Sequence, residues 1–516
     1  MHAPSLPLTS LHDRLSPSTS LVEFRAAPDE LPAVLREMAA HLACTLGGGL
    51  DDAIDLEVAA DPDGLSVRLE LPGGTADLGV AQVLDPAARP TGSYTLCLRL
   101  PRGHGVADPV AARLLRAVQA LPLTRLECGE LQEQLPLTSG LPAMVAPGAL
   151  AGRSVLLTIH HMTDFLGMVQ ALVALGVPPG AMTVIDKEYP YLHTRRVDAH
   201  LKRRMRIAVF RYRNLEHAIK DHADRADAQG RPSLIIDDGG YVLPVLLDRL
   251  PDLTGTFTGL VEQTTSGITK LERYRELPVP IFSVAQSQLK ATVESYGIAD
   301  TAIRRILALL PHEKFEGQAA LVVGYGRIGQ QLAEVLRARR MRVAVYDRQL
   351  VRLIAAHERG FLTSRDLPGL LGRHQPLLVV GSTGRTALHA DEFAAITRSC
   401  FVASVTSRNY EFALDELAVL AVEHRSLGVT GTRYLLPSGP AVTVLADGYP
   451  VNFHYAESLP NKYVDLVLAA LLVGACTLAT PDHGFRPGHN VDRTDQVLDT
   501  SPVLERYYQL YGPPAC

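Results

Sequence analysis

Residues 320–348 read ALVVGYGRIGQQLAEVLRARRMRVAVYDR, and this stretch decides the fold of the larger part of the chain. A β-branched apolar run leads straight into Gly324, Gly326 and Gly329 in the spacing G-x-G-x-x-G, with Arg327 and Ile328 between the last two. A good helix-forming segment follows, then a second apolar run ending at Asp347. The first glycine permits a tight strand-to-helix turn, the second lets a pyrophosphate approach the backbone, and the third allows the helix to pack close to the sheet. The helix N-terminus adds amide donors for an anion. Asp347, about 20 residues on, is placed to accept both hydroxyls of a ribose and to repel a 2′-phosphate, so NAD is the expected cofactor. Arg348 beside it is the one feature that favours NADP, and a glycine turn without a ligand is the alternative to a dinucleotide site.

Working outward, the same alternation continues. Strands are expected at Ala319–Val323, Arg342–Tyr346, Leu377–Val380 and Phe401–Val405, with a helix over Ile328–Arg339. Upstream, a strand at Ser154–Ile159 precedes an apolar helix over Met162–Leu175 that stops at Gly176. Strands alternating with helices predict a doubly wound parallel sheet. Before Pro147 the texture differs. LVEFRA from Leu21 reads as a strand and Glu30–Cys44 as a helix. Leu56–Ala59 and Leu65–Leu71 read as a hairpin about the turn residues Asp61–Gly64, followed by a strand at Tyr94–Leu100 and a helix at Asp108–Leu121. This is an α+β unit without a chemical motif, preceded by an irregular Ser/Pro-rich lead-in over residues 1–20.

With 516 residues, two to four domains of about 150 residues are expected. The 47% hydrophobic and 20% charged composition excludes a mainly disordered or fibrous chain. Fifty Lys+Arg against 55 Asp+Glu leave a formal charge of −5, so no global field attracts nucleic acid or an anionic membrane. Six scattered cysteines with no C-x-x-C pair suggest neither a metal site nor a disulfide framework, and a reduced, cytoplasmic setting is expected. The N-terminus has no secretory pattern. The apolar run Val464–Leu478, interrupted by Asp465, reads as a buried helix rather than a membrane span.

Four further segments carry chemistry-bearing residues. Asp237 and Asp238 end an apolar strand and enter a Gly-Gly turn, either as site carboxylates or as an Asx turn. Glu262, Gln263, Thr264, Thr265 and Ser266 form a dense polar run before a helix, which also reads as an N-cap cluster. Lys290 and Glu294 share a helix face at i, i+4, the spacing of an ordinary surface salt bridge. A basic run, from His193, Arg195 and Arg196 to Lys202, Arg203, Arg204 and Arg206, reads as a solvated helix face or as a site for an acidic substrate group.

The order and spacing of these pieces resemble the S-adenosylhomocysteine hydrolase (adenosylhomocysteinase) family. Its H-M-T, D-D-G-G, E-E-T-T-T-G, lysine-bearing helix ending in Y-G and dinucleotide fold correspond to His161-Met162-Thr163, Asp237–Gly240, Glu262–Gly267, Lys290–Gly297 and Gly324–Gly329. Ser382-Thr383-Gly384 resembles the family's T-T-G and Val451-Asn452 its V-N-L. The likeness spans roughly residues 150–480. It implies an α/β architecture of two domains, with a Rossmann NAD-binding domain, here preceded by the extra α+β unit. The expected boundaries are 1–145, 146–305 completed by 453–485, 306–452 for the NAD-binding domain, and a tail from 486.

The resemblance also implies a reaction. Tightly bound NAD is recycled within a turnover: the substrate ribose is oxidised at C3′, the C4′ proton becomes acidic, the 5′ thiolate is eliminated, water adds, and the ketone is reduced again. Carried over, Lys290 takes the 3′-hydroxyl proton with Glu294 as its partner acid, and His161 and Asp238 serve proton transfers about C4′ and the leaving group. Thr163 and Gln263, with His454 nearby, would contact substrate. Thr264, Thr265 and Ser266 would bind the nicotinamide ribose, Asp347 the adenosine ribose, Ser382, Thr383 and Gly384 the cofactor, and Asn452 its carboxamide.

Departures from the pattern point to an altered substrate. Phe165 replaces an adenine-recognising glutamate, and Gln263 replaces the second glutamate of E-E-T-T-T. Ser295 and Ile298 replace an asparagine and a cysteine. Ser404–Arg408 stands for N-I-G-H-F and Ser458-Leu459-Pro460 for G-H-P, so two histidines are missing. The C-terminus lacks K-P-x-H-Y-R-Y and keeps only Tyr507, Tyr508 and Tyr511. The expectation is an NAD-using, adenosylhomocysteinase-like hydrolase acting on a nucleoside-like small molecule, with an acidic group on it if the basic run faces the site. A homodimer or homotetramer is expected, with no nucleic-acid, membrane or metal partner. The alternatives are a net dehydrogenase or eliminase on a related substrate, and a catalytically silent NAD-binding regulator.

Overall fold

The computed structural model describes residues 19–45, 59–61, 64–71, 74–100, 109–189, 191–406, 408–455 and 459–513. The chain forms two compact units, Met1–Pro136 with His193–Val209, and Leu137–Leu192 with Phe210–Cys516.

In the first unit, strands β1 (Thr19–Arg25), β2 (Ala59–Asp61), β3 (Gly64–Leu71), β4 (Gly74–Leu84) and β5 (Pro90–Arg99) make an antiparallel sheet in the order β1-β5-β4-β3-β2. Helices Leu31–Thr45 and Pro109–Val118 complete it, and Leu35, Met38 and Leu42 pack with Leu78, Leu96, Leu98 and Leu114 in its core. The expected α+β unit is present, with one strand more than the sequence suggested. GTADLGVAQVL carries two glycines and an aspartate, yet it becomes β4 because β3 and β5 pair with it on both sides. Of the expected run Leu56–Ala59, only Ala59 falls among the described residues, as does all but the first residue, Asp108, of the expected helix Asp108–Leu121.

The boundary of this unit departs from expectation. It closes at Pro136 rather than near residue 145, and it takes in His193–Val209, so the stretch expected to be a continuous substrate-type domain from 146 to 305 is interrupted. The basic run explains why. Arg196 is buried and donates to both oxygens of Glu127 (2.9 and 2.6 Å) and to the Leu121 carbonyl (3.1 Å). Arg203 donates to the Ala120 carbonyl and Arg204 pairs with Glu37. Burial pushes the Glu127 carboxyl up, but Arg196 and two backbone N–H donors outweigh it and hold it below the usual carboxylate range. These three arginines bind the unit's own acids and carbonyls, so neither a solvated face nor a site for an acidic substrate describes them.

The second unit contains two sheets of the same topology. Strands β6 (Ser154–Ile159), β7 (Met182–Asp186), β9 (Ser233–Asp237), β10 (Phe257–Glu262), β11 (Pro280–Ser283) and β20 (Gly488–His489) run parallel in the order β20-β11-β10-β9-β6-β7, with the end of β8 (Ala208–Arg211) beyond β7. The other sheet orders β14 (Leu362–Thr363), β13 (Arg342–Tyr346), β12 (Ala319–Val323), β15 (Leu378–Gly381), β16 (Cys400–Ser404) and β19 (Ala441–Leu445) in parallel. An antiparallel pair, β18 (Gly431–Leu435) and β17 (Glu423–Ser426), extends it. Read from the first strand of each half, both sheets follow the 3-2-1-4-5-6 order of doubly wound folds, whose ligand crevice opens where the order reverses. Those points fall between β6 and β9 and between β12 and β15.

Helix Asn461–Ala479 returns to pack on β9, β10 and helix Thr163–Ala174. It is long and apolar enough to cross a membrane by length and composition, but 83% of it is buried in the unit. Inside it Asp465 accepts the N–H groups of Leu137 and Thr138, both at 2.8 Å, capping helix Pro136–Met144. Gly474 permits the close approach, since a Cβ there would lie 2.7 Å from Phe282. The expected tail is regular structure: β20 joins the sheet edge, and helices Val491–Thr500 and Pro502–Tyr511 follow.

Candidate active site

The carboxyl ends of both parallel sheets open into one cleft of about 950 Å³. On the nucleotide side the glycines act as their spacing predicts. Gly324 has φ +99°, and a Cβ on Gly329 would lie 2.0 Å from the Gly324 carbonyl, so the turn and the helix contact both require glycine. Gly326, by contrast, faces open space: a Cβ there would meet only the Arg352 guanidinium, at 3.7 Å. Gly326 is also the N-cap of helix Arg327–Ala338 and leaves its first amides without a side-chain cap. Arg327 and Ile328 line the cleft, whereas Gly329 packs behind it. Asp347 accepts from the amides of Tyr325 and Gln349, both at 2.7 Å, and still reaches the cleft wall. Ser382, Thr383 and Gly384 line the opposite side; the Ser382 hydroxyl donates to the Gly324 carbonyl (2.9 Å).

Beneath that loop lies Glu411, a fully buried residue that the sequence did not point to. It accepts from the Thr383 amide and hydroxyl (both 2.8 Å), from the Gly384 amide (3.1 Å) and from the Thr406 hydroxyl. Burial outweighs those hydrogen bonds, and the Glu411 carboxyl stands above its usual range. An acid 27 residues from Gly384 has no sequence signal tying it to the loop. At the junction of the two sides Asn452, 3% exposed, keeps a buried Oδ1 without a hydrogen-bond partner among the described residues. An uncapped helix start, an open Gly326 and an orphaned amide oxygen fit a dinucleotide.

On the other side, the end of β9 separates two aspartates. Asp237 Oδ2 accepts from the Tyr241 and Val242 amides (2.6 and 2.8 Å), so it is the capping carboxylate, while Asp238 lines the cleft. Burial raises the Asp237 carboxyl to about 6, against those hydrogen bonds. Glu262, opposite Asp237 in the sheet, is pushed well above its usual value, first by burial and then by Asp237. Its Oε1 accepts from the Thr264 amide and hydroxyl, both at 2.9 Å. Thr264 Oγ1 in turn accepts from the Gly267 amide (3.0 Å), capping helix Thr265–Leu271. Both readings of that polar run therefore hold at once: Thr264 is a cap, and Gln263, Thr264, Thr265 and Ser266 all line the cleft.

Lys290 and Glu294 are not a surface pair. They lie on a single π-turn, Lys290–Glu294, with side chains 15% and 8% exposed, Nζ 2.9 Å from Oε2, and both line the cleft. Wide turns of this kind cluster at functional sites. Asp238 has two basic groups beside it: Lys187 Nζ at 3.1 Å from Oδ1 and His160 Nε2 at 3.1 Å from Oδ2.

Three expected site residues, the catalytic His161 and the substrate-contacting Thr163 and His454, do not line the cleft. His161 is fully buried, faces the Phe165 ring and does not line the cleft; His160, one residue earlier, does. Thr163 opens its helix outside the cleft wall, while Met162, Asp164 and Phe165 form it. His454 turns its Nε2 to the Val429 carbonyl (2.7 Å), and Phe453 takes the cleft position. For His161 the cause is register: consecutive residues leaving the end of β6 point to opposite sides.

Residues 297–458 match the description S-adenosyl-L-homocysteine hydrolase, NAD binding domain. The chain is 26% identical over 322 residues to the adenosylhomocysteinase of Aquifex aeolicus, covering 61% of this chain and 75% of that one. It is 30% identical over 251 residues to that of Thermosynechococcus vestitus (47% and 57%). The chain is thus similar to the adenosylhomocysteinases, and residues 297–458 match the NAD-binding domain of that family. It is also 27% identical over 350 residues to an uncharacterized protein of Mycobacterium tuberculosis, with 62% and 64% covered. For the Thermosynechococcus and Mycobacterium proteins the match spans less than two thirds of their length. The adenosylhomocysteinase resemblance gives this chain an NAD-binding domain and makes it a related NAD-dependent enzyme.

Proposed function

We propose that the protein transiently oxidises a nucleoside-like substrate at its ribose C3′, using NAD that stays bound, and then eliminates and rehydrates at C5′. The observation that carries this reading is that the buried Lys290–Glu294 pair and Asp238 line the same cleft as the Gly324–Gly329 turn. NAD supplies the hydride acceptor for the first step and, once reduced, the donor for the last. The protein's own groups handle the protons. Lys290 takes the proton of the substrate 3′-hydroxyl, and Glu294, 2.9 Å away, holds the lysine in place. Asp238, kept below the usual carboxylate range by Lys187 against burial, accepts at C4′ once the neighbouring carbon is a ketone. Gln263, a neutral donor and acceptor where the family has a second glutamate, orients the ribose. Phe165 offers an apolar wall where an adenine-recognising acid stands in the family, which is why the base or the 5′ substituent is taken to differ from that of S-adenosylhomocysteine.

Product analysis tests the reading. Redox-neutral conversion, with the nicotinamide oxidised again after turnover, supports it. Stoichiometric accumulation of reduced cofactor with a ketone product identifies a net dehydrogenase instead.

A further inference from the structure

Lys187 is 3% exposed, lies just beyond the end of β7, and has no counterpart among the motifs that carry the family resemblance. Its Nζ is 3.0 Å from His160 Nε2 and 3.1 Å from Asp238 Oδ1. A lysine ammonium has donors and no lone pair, so a ring nitrogen that accepts from it must be unprotonated. The same ammonium pairs with the buried Asp238 carboxylate at 3.1 Å. We infer that Lys187 is a positioning residue, which locks His160 as the neutral tautomer with its proton on Nδ1 and holds Asp238 as a carboxylate.

The surroundings agree. With a lone pair on Nε2, the 3.1 Å approach of Asp238 Oδ2 to that nitrogen is no hydrogen bond, and among the described residues Asp238 Oδ2 and His160 Nδ1 have no hydrogen-bond partner. The ring is held by stacking on Phe453 (centroids 4.3 Å apart) and by the edges of Tyr189 and Tyr191 at 5.1 and 5.3 Å. The charged and titratable groups facing it are Lys187, Asp238, His161, Lys290 and those two phenols. Burial first and Lys187 second push the imidazole down to about 3, against the pull of Asp238. Lys187 itself does not line the cleft, but His160 and Asp238 do. His160 and Asp238 therefore stand on the same cleft wall as a neutral imidazole and a carboxylate, and His160 does not act as a proton-donating imidazolium. This rests on reading that wall as the substrate end.

The test is nitrogen NMR of the full chain labelled at histidine, with His160 assigned by loss of its signals in His160→Gln. The wild type is expected to show His160 protonated at Nδ1 and not titrating between about pH 5 and 8. In Lys187→Met the proton should move to Nε2, facing Asp238, and the ring should titrate toward the ordinary histidine value of about 6.5. Lys187→Arg, which keeps the cation, should restore the wild-type signature. An Nε2-protonated or titrating His160 in the wild type overturns the inference, and so do unchanged His160 signals in Lys187→Met. Should Lys187→Met fail to fold, the wild type and Lys187→Arg still decide. The readout needs no substrate, so failure of every nucleoside to reduce the bound cofactor removes the proposed reaction and leaves the tautomer result standing.

Discussion

At the scale of single residues, burial turns ordinary sequence features into chemical ones. Lys290 and Glu294 have the spacing of a solvated helix pair, and only their enclosure beside the cleft makes the proposed roles of base and anchor available to them. Lys290→Met is expected to reduce turnover at least ~100-fold, in the range typical of a lost acid–base group. It also leaves Glu294 without its cation, and a urea titration should show a loss of about 3 kcal/mol. The carboxylates beneath Asp238 give a pH signature. Because the folded Asp237 carboxyl sits at about 6, above its unfolded value, its contribution is full below about pH 4 and is lost as the pH rises through 6. Glu262 shifts in the same direction. These two carboxyls oppose the buried histidines such as His160, whose depressed values add stability over the same range, so their share is read as a difference: the stability of Glu262→Gln relative to the wild type should rise between about pH 4 and 7. His160 and His161 show the limit of residue-by-residue transfer: the motif marks the pair of adjacent positions, but which one faces the cleft depends on how the chain leaves β6.

At the scale of elements, the Rossmann turn was fully legible because glycine spacing, strand and helix all constrain the same few residues. A Cβ at Gly329 would meet the Gly324 carbonyl at 2.0 Å, so Gly329→Ala should cost about 1–3 kcal/mol and weaken NAD binding, as seen by calorimetry with the cofactor. Strands β6, β9, β12, β13, β15 and β16 were legible as apolar runs, being covered on both faces, whereas β7, β10, β11 and β19 were not read from the sequence. Strand β4 was not, since its identity comes from its neighbours' hydrogen bonds rather than from its own glycine-containing sequence. Glu411 and Lys187 were invisible for a related reason. Each acts on residues dozens of positions away, through a contact that only the sheet order creates.

At the scale of the whole molecule, the two units are stabilised by separate cores. Arg196 belongs to the first, where it holds Glu127, and it takes no part in the cleft. Arg196→Met should destabilise that unit by about 3 kcal/mol, because a buried carboxylate loses its partner, while leaving NAD affinity unchanged. Loss of NAD binding in that variant would show that the two units do not act separately. Repetition of one strand order in both sheets explains why cofactor and substrate groups share a cleft: each half opens its crevice at its own switch point. The central claim is that a nucleoside-like ligand in this cleft passes a hydride to the bound cofactor and takes it back. Near-UV absorbance of the NAD-loaded protein, recorded as adenosine, S-adenosylhomocysteine and phosphorylated nucleosides are added one at a time, tests it most directly. A reduced-nicotinamide band with at least one of them, absent in Lys290→Met, is the expected result; a protein that holds NAD and shows no band with any of them contradicts the claim.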